Sequence, residues 1–425
     1  MNMHSLNSNR RTFLKMVGLA AAGATLPRAI GASITPPRVV VIGGGFGGAT
    51  VAKYLRHWGN NIAVTLVDRN AHHVSCILSN LVVTGELPVE RITLGYSNLQ
   101  TRHGVVVTQG EAVSVDPAAK KVTLRSGNDT SDVAYDKLVL APGVDFIAPA
   151  GNYDAELTPH AWIAGPQTLL LKNLLASMSA NQTFVLTVPP SPYRCPPGPY
   201  ERACAVAGFL QRRKPGAKII VLDANASIQA EPVNFTAAFQ DIYRDVLTYI
   251  PNAPVLRVDS RARSVVTPVG TFQGAVVNVI PTHRAGQIVT AAGLVNDPTG
   301  RWALVNPLTY ASTVYPDIHI LGDSQGTGQP KSGHMANAQA KVCADAIIRA
   351  FNGQAPDSSP VTSSACYSPI TPSKASWLTA SYQYDPATKT MKRVDASFAE
   401  AARPSSDGTE QMFEWAENIF ADSFG

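Results

Sequence analysis

The stretch RVVVIGGGFGGATVAKYL, residues 38–55, decides the fold. Its first apolar run predicts a buried strand of a parallel sheet, and its second half predicts a helix. Between them, three glycines fit the pattern G-x-G-x-x-G: Gly43, Gly45 and Gly48. A second apolar run, IAVTLVD, ends at Asp68, at the spacing expected of an acid that binds a ribose 2′-hydroxyl. Strand, glycine turn, helix, strand and acid in this order predict a dinucleotide-binding unit.

A second stretch repeats this layout but lacks the glycine turn. It contains VPPSPYRCPPGPYERAC, residues 188–204, between a predicted strand and a predicted helix, and the next strand ends at Asp223. Proline has no backbone N–H, so this turn offers no concavity for a pyrophosphate, and we expect no NAD(P)H site. Cys195 lies in the turn near a helix N-terminus, where partial positive charge would favour its thiolate. A buried structural cysteine is the alternative.

The charge of the chain gives no support to two classes of partner. Four of its 35 basic residues lie in the first 31 positions, where no acid occurs, so the remainder carries 31 basic against 30 acidic residues. This near balance gives no reason to expect nucleic acid or an anionic membrane as a partner.

The N-terminal segment NRRTFLKMVGLAAAGATLPRAIGAS, residues 9–33, reads as an export signal. Paired arginines precede an apolar run that is too short to span a bilayer comfortably, and the pattern is similar to a twin-arginine signal. We therefore predict a signal over residues 1–32 and a location in the bacterial periplasm. A disordered basic arm is the alternative.

Five cysteines, an odd number, leave at least one thiol outside any internal pairing. The sequence contains no C-x-x-C-H, so no c-type haem attachment site is predicted on this chain. It contains no C-x-x-C pair and no H-E-x-x-H either, and no metal site is predicted.

Two further segments resemble parts of flavoproteins that have two dinucleotide-binding domains. YDKLVLAPG, residues 135–143, resembles the returning strand of an FAD domain, and DIHILGDSQG resembles the strand whose acid, here Asp323, binds the ribityl chain. The resemblance implies an α/β fold of the pyridine-nucleotide–disulfide oxidoreductase architecture, with two Rossmann-like domains and a C-terminal α+β interface region. The predicted domain limits are these: 33–150 with 290–355 for a discontinuous FAD-binding domain, 151–289 for a second Rossmann-like domain without an NAD(P) fingerprint, and 356–425 for the interface domain.

Four motifs resemble the flavoprotein subunit of flavocytochrome c sulfide dehydrogenase. They are HVSCILSN, YRCPPGPYERA, GDSQGTGQPKSGHMANAQAK and ACYSPITP, and the likeness continues to the closing WAENIFADSFG. The resemblance implies FAD linked covalently through Cys76 and a redox-active disulfide between Cys195 and Cys366. It also implies oxidation of hydrosulfide to zero-valent sulfur or polysulfide, with electrons passing to a c-type cytochrome subunit that carries the haem in a heterodimer.

Two further residues are candidates for the site, each with a plain alternative. Glu201 follows Cys195 in the first turns of the predicted helix, where it either manages protons at the disulfide or stabilises the helix N-terminus. Lys331 either stabilises negative charge on the flavin or is simply a solvated lysine. Cys204 and Cys343 are predicted to be packing residues.

Two other functions remain open at this point. A sulfide:quinone reductase shares the architecture but delivers electrons into a membrane, and the acidic segment from Pro404 to Gly425 argues against that contact. A non-catalytic flavin electron-relay module, in which the two cysteines are purely structural, is the other.

Overall fold

The computed structural model describes residues 35–425, so the predicted export signal lies outside the described residues. Its strands are β1 (Arg38–Ile42), β2 (Ala63–Asp68), β3 (His72–Val74), β4 (Thr93–Gly95), β5 (Val106–Gln109), β6 (Glu111–Asp116), β7 (Lys121–Ser126), β8 (Asp129–Ala134), β9 (Lys137–Leu140), β10 (Val144–Ile147), β11 (Gly151–Asn152), β12 (Thr183–Val188), β13 (Lys218–Asp223), β14 (Leu247–Ile250), β15 (Arg257–Asp259), β16 (Ser264–Thr267), β17 (Gly270–Gln273), β18 (Val276–Val279), β19 (Thr282–Ala285), β20 (Ile318–Ile320), β21 (Val361–Thr371), β22 (Lys374–Asp385), β23 (Thr390–Arg393) and β24 (Ala399–Glu400). Its α-helices are α1 (Phe46–Trp58), α2 (Ser79–Val83), α3 (Ser97–Thr101), α4 (Pro166–Ser177), α5 (Gly198–Arg213), α6 (Pro232–Ala237), α7 (Gln287–Ala291), α8 (Gly333–Phe351) and α9 (Ser406–Phe424).

The first sheet is parallel and has the strand order β20-β9-β1-β2-β5. Its glycine turn is tight, because a Cβ on Gly43 would lie 2.4 Å from the carbonyl oxygen of Ala141. A Cβ on Gly48 would lie only 1.7 Å from the carbonyl oxygen of Gly43. The glycine pattern therefore reflects close backbone approach between β1, β9 and α1, as the sequence predicted.

The second sheet is also parallel and has the order β14-β13-β12-β18. The apolar residues of β12 and β13 are buried against α5, which follows the proline-rich turn. The two sheets together confirm the predicted α/β class with two Rossmann-like units.

The groove at the end of the second sheet is filled by the chain's own tyrosines. The buried Tyr200 of α5 donates a hydrogen bond to Asp223 Oδ2 at 2.8 Å, and Tyr249 donates to the same oxygen at 2.8 Å. Asp223 Oδ1 accepts from Asn225 N at 2.8 Å and from its Nδ2 at 2.7 Å. The acid that ends β13 is thus fully engaged within the protein, where a ribose-binding acid would face a ligand.

The C-terminal region forms an antiparallel sheet of β21, β22 and β23, with β24 beside β22, followed by α9. Helix α9 packs on α1 and α8, and Asp422 near its end binds three side chains of those helices. These partners are Tyr54 Oη at 2.6 Å, Lys341 Nζ at 2.7 Å and Asn337 Nδ2 at 2.8 Å. The aromatic rings of Phe46, Phe420 and Phe424 pack beneath this network. The C-terminal helix therefore packs as part of the first domain. The predicted C-terminal α+β region is confirmed.

No helix within residues 35–425 is both long enough and apolar enough to cross a membrane. The predicted domain limits stay a prediction, although β20 joins the first sheet beside β9 from far along the chain.

We expect neither NADH nor NADPH to reduce this protein at a useful rate. The proline turn lacks the N–H groups that bind a pyrophosphate, and Asp223 is occupied by two tyrosines. Anaerobic stopped-flow mixing with either nucleotide should leave the flavin absorbance unchanged, while dithionite bleaches it as a control. Rapid bleaching by NADH would show that the second domain binds nucleotide after all.

Candidate active site

An elongated cleft opens at the carboxyl ends of β1, β2 and β9. One cavity of about 540 Å³ and a second of about 480 Å³ share part of their walls and together form this cleft. The shared residues are Gly43, Asp68, Arg69, Pro142, Val144 and Ile163. In open α/β sheets this edge is where dinucleotides bind.

The walls of the cleft have the groups that an FAD molecule requires. Gly45 precedes α1, and a Cβ there would meet nothing closer than His73 at 3.5 Å, so the helix N-terminus is open to a pyrophosphate. Asp68 Oδ2 accepts from Gly44 N at 2.7 Å, which fixes the acid beside the glycine turn. Asp323 is buried, and its Oδ1 has no hydrogen-bond partner among the described residues. Such an orphaned acceptor fits a ligand hydroxyl, and the residues of the cleft fit FAD.

Lys331 does not line either part of the cleft. Its Nζ donates to the carbonyl oxygens of Asp323 at 2.9 Å and Gln325 at 2.6 Å and lies 3.7 Å from the centre of the Trp302 ring. Burial lowers the pKa of Lys331 to about 7. The residue is therefore not a solvated lysine, and its ammonium holds the loop that carries Asp323. The structure does not bring that ammonium into the cleft as the sequence had suggested.

A small chamber of about 60 Å³ adjoins the cleft and contains three of the five cysteines. Cys195 and Cys366 line the chamber, and Cys76 lines both the chamber and the cleft. All five cysteines are free thiols in this structure. Cys204 and Cys343 are buried elsewhere, in α5 and α8. Three distant segments of sequence thus bring three thiols to one place.

Cys195 has a constrained backbone between the two domains. Its φ is +60°, its N–H donates to Lys331 O at 2.7 Å, and its carbonyl accepts from Gly198 N at 2.9 Å. A Cβ on Gly198 would lie 2.8 Å from Cys195 Sγ, so that position requires glycine. The proline-rich turn therefore fixes the Cys195 thiol close to the N-terminus of α5.

The thiolate predicted for Cys195 from the helix N-terminus is not what the structure shows. Burial raises the pKa of Cys195 well above its ordinary value, and Glu201 and Cys366 raise it further. Burial likewise raises the pKa of Cys366 to about 12 and also raises that of Cys76. The expectation was wrong because desolvation outweighs the partial charge of the helix.

Glu201 lines the same chamber from the first turn of α5. Burial raises the pKa of Glu201 to about 8, while Asn80 and Arg202 act in the opposite direction. The carboxyl is therefore protonated near neutral pH. A neutral carboxyl does not stabilise a helix N-terminus by charge, so the structure favours a proton role for Glu201.

Sequence reasoning missed three residues of the chamber: Arg194, Arg202 and His334. His334 Nδ1 accepts from Ala365 N and from Trp415 Nε1, each at 3.1 Å, so its proton lies on Nε2. The motif YRCPPGPYERA displayed both arginines, but only its cysteine and glutamate are of types usually associated with thiol chemistry. Nothing local in the sequence distinguishes a buried arginine from a solvated one.

Family models match three parts of the chain. The model of the sulfide dehydrogenase [flavocytochrome c] flavoprotein chain, central, matches residues 168–281, and the flavocytochrome c sulphide dehydrogenase, flavin-binding model matches residues 358–424. The pyridine nucleotide-disulphide oxidoreductase model matches residues 37–161.

Several relatives and solved structures resemble the chain. It is 58% identical over 45 residues, 11% of its length, to the sulfide dehydrogenase [flavocytochrome c] flavoprotein chain of Chlorobaculum thiosulfatiphilum, and the match covers 94% of that sequence. It is 31% identical over 121 residues to the sulfide-quinone reductase of Aquifex aeolicus, covering 28% of this chain and 27% of that protein. It spans a similar share, 27%, of ferroptosis suppressor protein 1 of Taeniopygia guttata, with 36% identity over 110 residues.

The solved structure of the sulfide:quinone oxidoreductase from Aquifex aeolicus superimposes with a TM-score of 0.72 at 19% identity, covering 91% of this chain and 92% of that one. At this identity the likeness shows the fold alone. The family-specific models and the Chlorobaculum relative go further and confirm the resemblance seen in the motifs. The chain belongs to the family of flavocytochrome c sulfide dehydrogenase flavoprotein chains.

Proposed function

We propose that this chain oxidises hydrosulfide through a disulfide formed by Cys195 and Cys366 and passes the electrons to FAD. The observation that carries the proposal is the meeting of these two cysteines in one chamber that shares Cys76 with the FAD cleft. A non-catalytic relay module would not need a chamber at its cysteine pair.

The sulfur step follows from thiol–disulfide chemistry. Hydrosulfide attacks one sulfur of the Cys195–Cys366 disulfide, so the bond between the cysteines breaks and a new sulfur–sulfur bond forms. One cysteine becomes a persulfide, and the other leaves as a thiolate that holds the electron pair. A second hydrosulfide takes the outer sulfur of the persulfide and leaves with it as a short polysulfide anion, so that cysteine also becomes a thiolate. The two thiolates together hold the two electrons that the sulfur has lost, and they re-form the disulfide when those electrons pass on.

The cleft residues have separate tasks in holding FAD. The N-terminus of α1 at Gly45 would take the pyrophosphate, Asp68 would hold a ribose and Asp323 the ribityl chain, and Cys76 Sγ would carry the covalent link. When bound, FAD supplies an acceptor for an electron pair that can pass on single electrons.

The acceptor that we propose is a c-type cytochrome subunit in the periplasm. The sequence contains no C-x-x-C-H motif, so we place the haem on that second chain. The paired arginines at Arg10 and Arg11 support export through the twin-arginine route.

A quinone acceptor is the second candidate, because the fold resembles that of a sulfide:quinone oxidoreductase. The amphipathic surface that a membrane contact would use is occupied here, since the apolar residues Ile419, Phe420 and Phe424 of α9 pack on the first domain. Rates with cytochrome c and with a soluble quinone, measured side by side, distinguish the two acceptors.

We expect Cys195→Ser and Cys366→Ser each to lower sulfide-dependent cytochrome c reduction to below about a hundredth of the unmodified rate, because either change removes the disulfide. Cys204→Ser is the matched control: this cysteine lies on α5 outside the chamber, so most activity should remain. Peptide mapping of the oxidised protein without reduction should recover Cys195 joined to Cys366. Full activity in the Cys366 variant would overturn the mechanism.

We expect flavin to stay with the polypeptide after acid precipitation, because Cys76 forms a thioether with it. In Cys76→Ala the flavin should be absent or appear in the supernatant, while Cys343→Ser should behave as the unmodified protein. A mass spectrum of the denatured chain checks the same point. Flavin that washes entirely out of the unmodified protein would show that the covalent link does not exist.

We expect the rate of sulfide-dependent flavin reduction to fall as pH rises through about 8. Glu201 ionises there, and its charge would then oppose the anionic sulfur species of the chamber. In Glu201→Gln this inflection should be missing, leaving only the ionisation of the substrate. Stopped-flow reduction between pH 6 and pH 10 checks this, and an unchanged profile in the variant would contradict it.

Stability offers a second readout for Glu201. Its folded pKa of about 8 exceeds the ordinary value of 4.5, so the unfolded chain loses the proton first as pH rises. This group's contribution to the free energy of unfolding is complete at low pH and declines between those two values. Glu201→Gln should therefore gain stability over the unmodified protein above about pH 8.

A further inference from the structure

Arg194 lies where the thiol chamber meets the FAD cleft, and its charge has no partner. The residue lines both cavities. Its Nε and Nη2 are buried and make no hydrogen bond to any described residue. Across residues 35–425, no carboxylate lies within salt-bridge distance of its guanidinium. Buried N–H donors without an acceptor are costly, so this position calls for a group that accepts hydrogen bonds, and an anion fits the charge of the guanidinium.

The backbone of Arg194 is held on both sides, so the guanidinium extends from a fixed point. Its N–H donates to His283 Nδ1 at 2.9 Å, and its carbonyl accepts from Trp162 Nε1 at 3.2 Å. The next residue, Cys195, is fixed by its own hydrogen bond to Lys331 O. Arg194 therefore has a fixed backbone position in the wall of the chamber.

Two of the three sulfurs lie within the electrostatic reach of Arg194. Burial raises the pKa of both Cys76 and Cys195, and Arg194 is a cation that lowers each of them. Cys366 differs, since the groups that act on its pKa, after burial, are Glu231, Glu201, Cys76 and Ser364. The three thiols of one chamber are therefore not equivalent toward this cation.

We propose that Arg194 is the anion-binding residue of the chamber, which holds the negative charge carried by sulfur at Cys195 and at Cys76. For the disulfide chemistry this rests on the proposed function. One cation balances the negative charge of that step. Hydrosulfide enters with one negative charge, and the leaving thiolate retains the same charge and the electron pair. At Cys76, loss of the thiol proton to solvent leaves a thiolate whose charge the same guanidinium offsets.

Other titratable and charged groups surround Arg194 and remain unchanged in the test. Those whose pKa Arg194 influences are His73 on β3, His160 before α4, Arg202 on α5, His283 on β19 and Asp323 after β20, and Glu201 on α5 lines the same chamber. Burial lowers the pKa of His73 and of His160 to about 4, so both rings are neutral near pH 7. Glu201 is protonated there. Burial raises the pKa of Asp323 while Arg194 and Lys331 act in the opposite direction, so the carboxyl of Asp323 competes for the cation.

The test measures thiol reactivity and not sulfide oxidation, so it can fail independently of the proposed function. The holoprotein is reduced with dithiothreitol, and alkylation by iodoacetamide is followed by mass spectrometry at each cysteine over a pH series. In Arg194→Gln the pKa of Cys195 should rise. Cys195 should therefore react more slowly than in the unmodified protein, by about tenfold for each unit of that rise. Cys366, in the same chamber and likewise partly buried, should change little. Arg194→Lys should restore much of the Cys195 reactivity.

Two controls and a second readout accompany this measurement. The buried Cys204 and Cys343 should stay unmodified, which reports that the variant is folded. Arg212→Gln changes an exposed arginine of α5 that pairs with Glu86 and should leave every rate unchanged. The fraction of chains with covalent flavin gives a second readout and should fall in Arg194→Gln, because Cys76 attacks as a thiolate.

Two results would overturn the assignment. One is an unchanged Cys195 rate in Arg194→Gln, and the other is equal slowing at Cys195 and Cys366, which would indicate altered access. Should the glutamine variant expose Cys204 and Cys343, the lysine variant decides. Cys195 reactivity close to that of the unmodified protein supports a role of charge, and its loss in a folded lysine variant overturns it.

Discussion

The guanidinium of Arg202, fully buried at the start of α5, holds together the segments that build the thiol chamber. Its donors reach Asn80 Oδ1 at 2.9 Å, His160 O at 3.0 Å, Asn278 Oδ1 at 3.1 Å and Ala161 O at 2.6 Å. Its flat face lies 4.9 Å from the centre of the Trp162 ring. These partners come from α2, from the segment before α4 and from β18, so one side chain connects both Rossmann-like units. Each acceptor left unpaired by its loss would cost on the order of 1–3 kcal/mol. Because Cys195 and Glu201 neighbour Arg202 in sequence, their positions depend on this buried network.

The second Rossmann-like unit has become part of this support. The N–H groups of Ser191, Arg194 and Cys195 in its turn donate within the protein, and Tyr200 donates to the acid that ends β13. The same turn holds Cys195 at a positive φ and binds its N–H to the loop before α8. The Cys195 thiol must face a partner from β21, which is distant in sequence, so the chain between them does not hold the two together. A rigid turn with few free N–H groups suits a thiol in this situation. The sheet behind it supplies packing and no ligand contact.

The sequence predicted those features that depend on local spacing. Gly43 and Gly48 identified the first domain because the glycine pattern itself lies within a few residues, although the backbone that Gly43 approaches, at Ala141, is distant in sequence. The cysteine motifs pointed to Cys76, Cys195 and Cys366 through a family resemblance, and the structure brings these three together. The protonation state of Cys195 could not be predicted, because burial by distant segments decides it. For the same reason Lys331 was assigned a place that its side chain does not occupy, and Arg194 was overlooked. Whether a charged side chain is solvated, engaged with carbonyls or left facing a cavity depends on the tertiary packing around it.

The electrostatics of the chamber fit the proposed entry of an anion to a buried thiol pair. With Glu201 protonated and the thiols neutral, the reduced chamber contains no negative charge of its own, while Arg194 and Arg202 are both cationic. Arg202 has its hydrogen bonds filled by carbonyl and amide oxygens, which satisfy its donors without cancelling its charge. Arg194 has donors that nothing in the described chain accepts. An anion that enters therefore meets an unpaired cation in a medium of low dielectric constant, where their attraction is far stronger than in water. Burial makes a thiolate costly at every cysteine here, and it also strengthens the attraction between the Arg194 cation and an anion. The two effects together restrict negative charge to the sulfurs on which Arg194 acts.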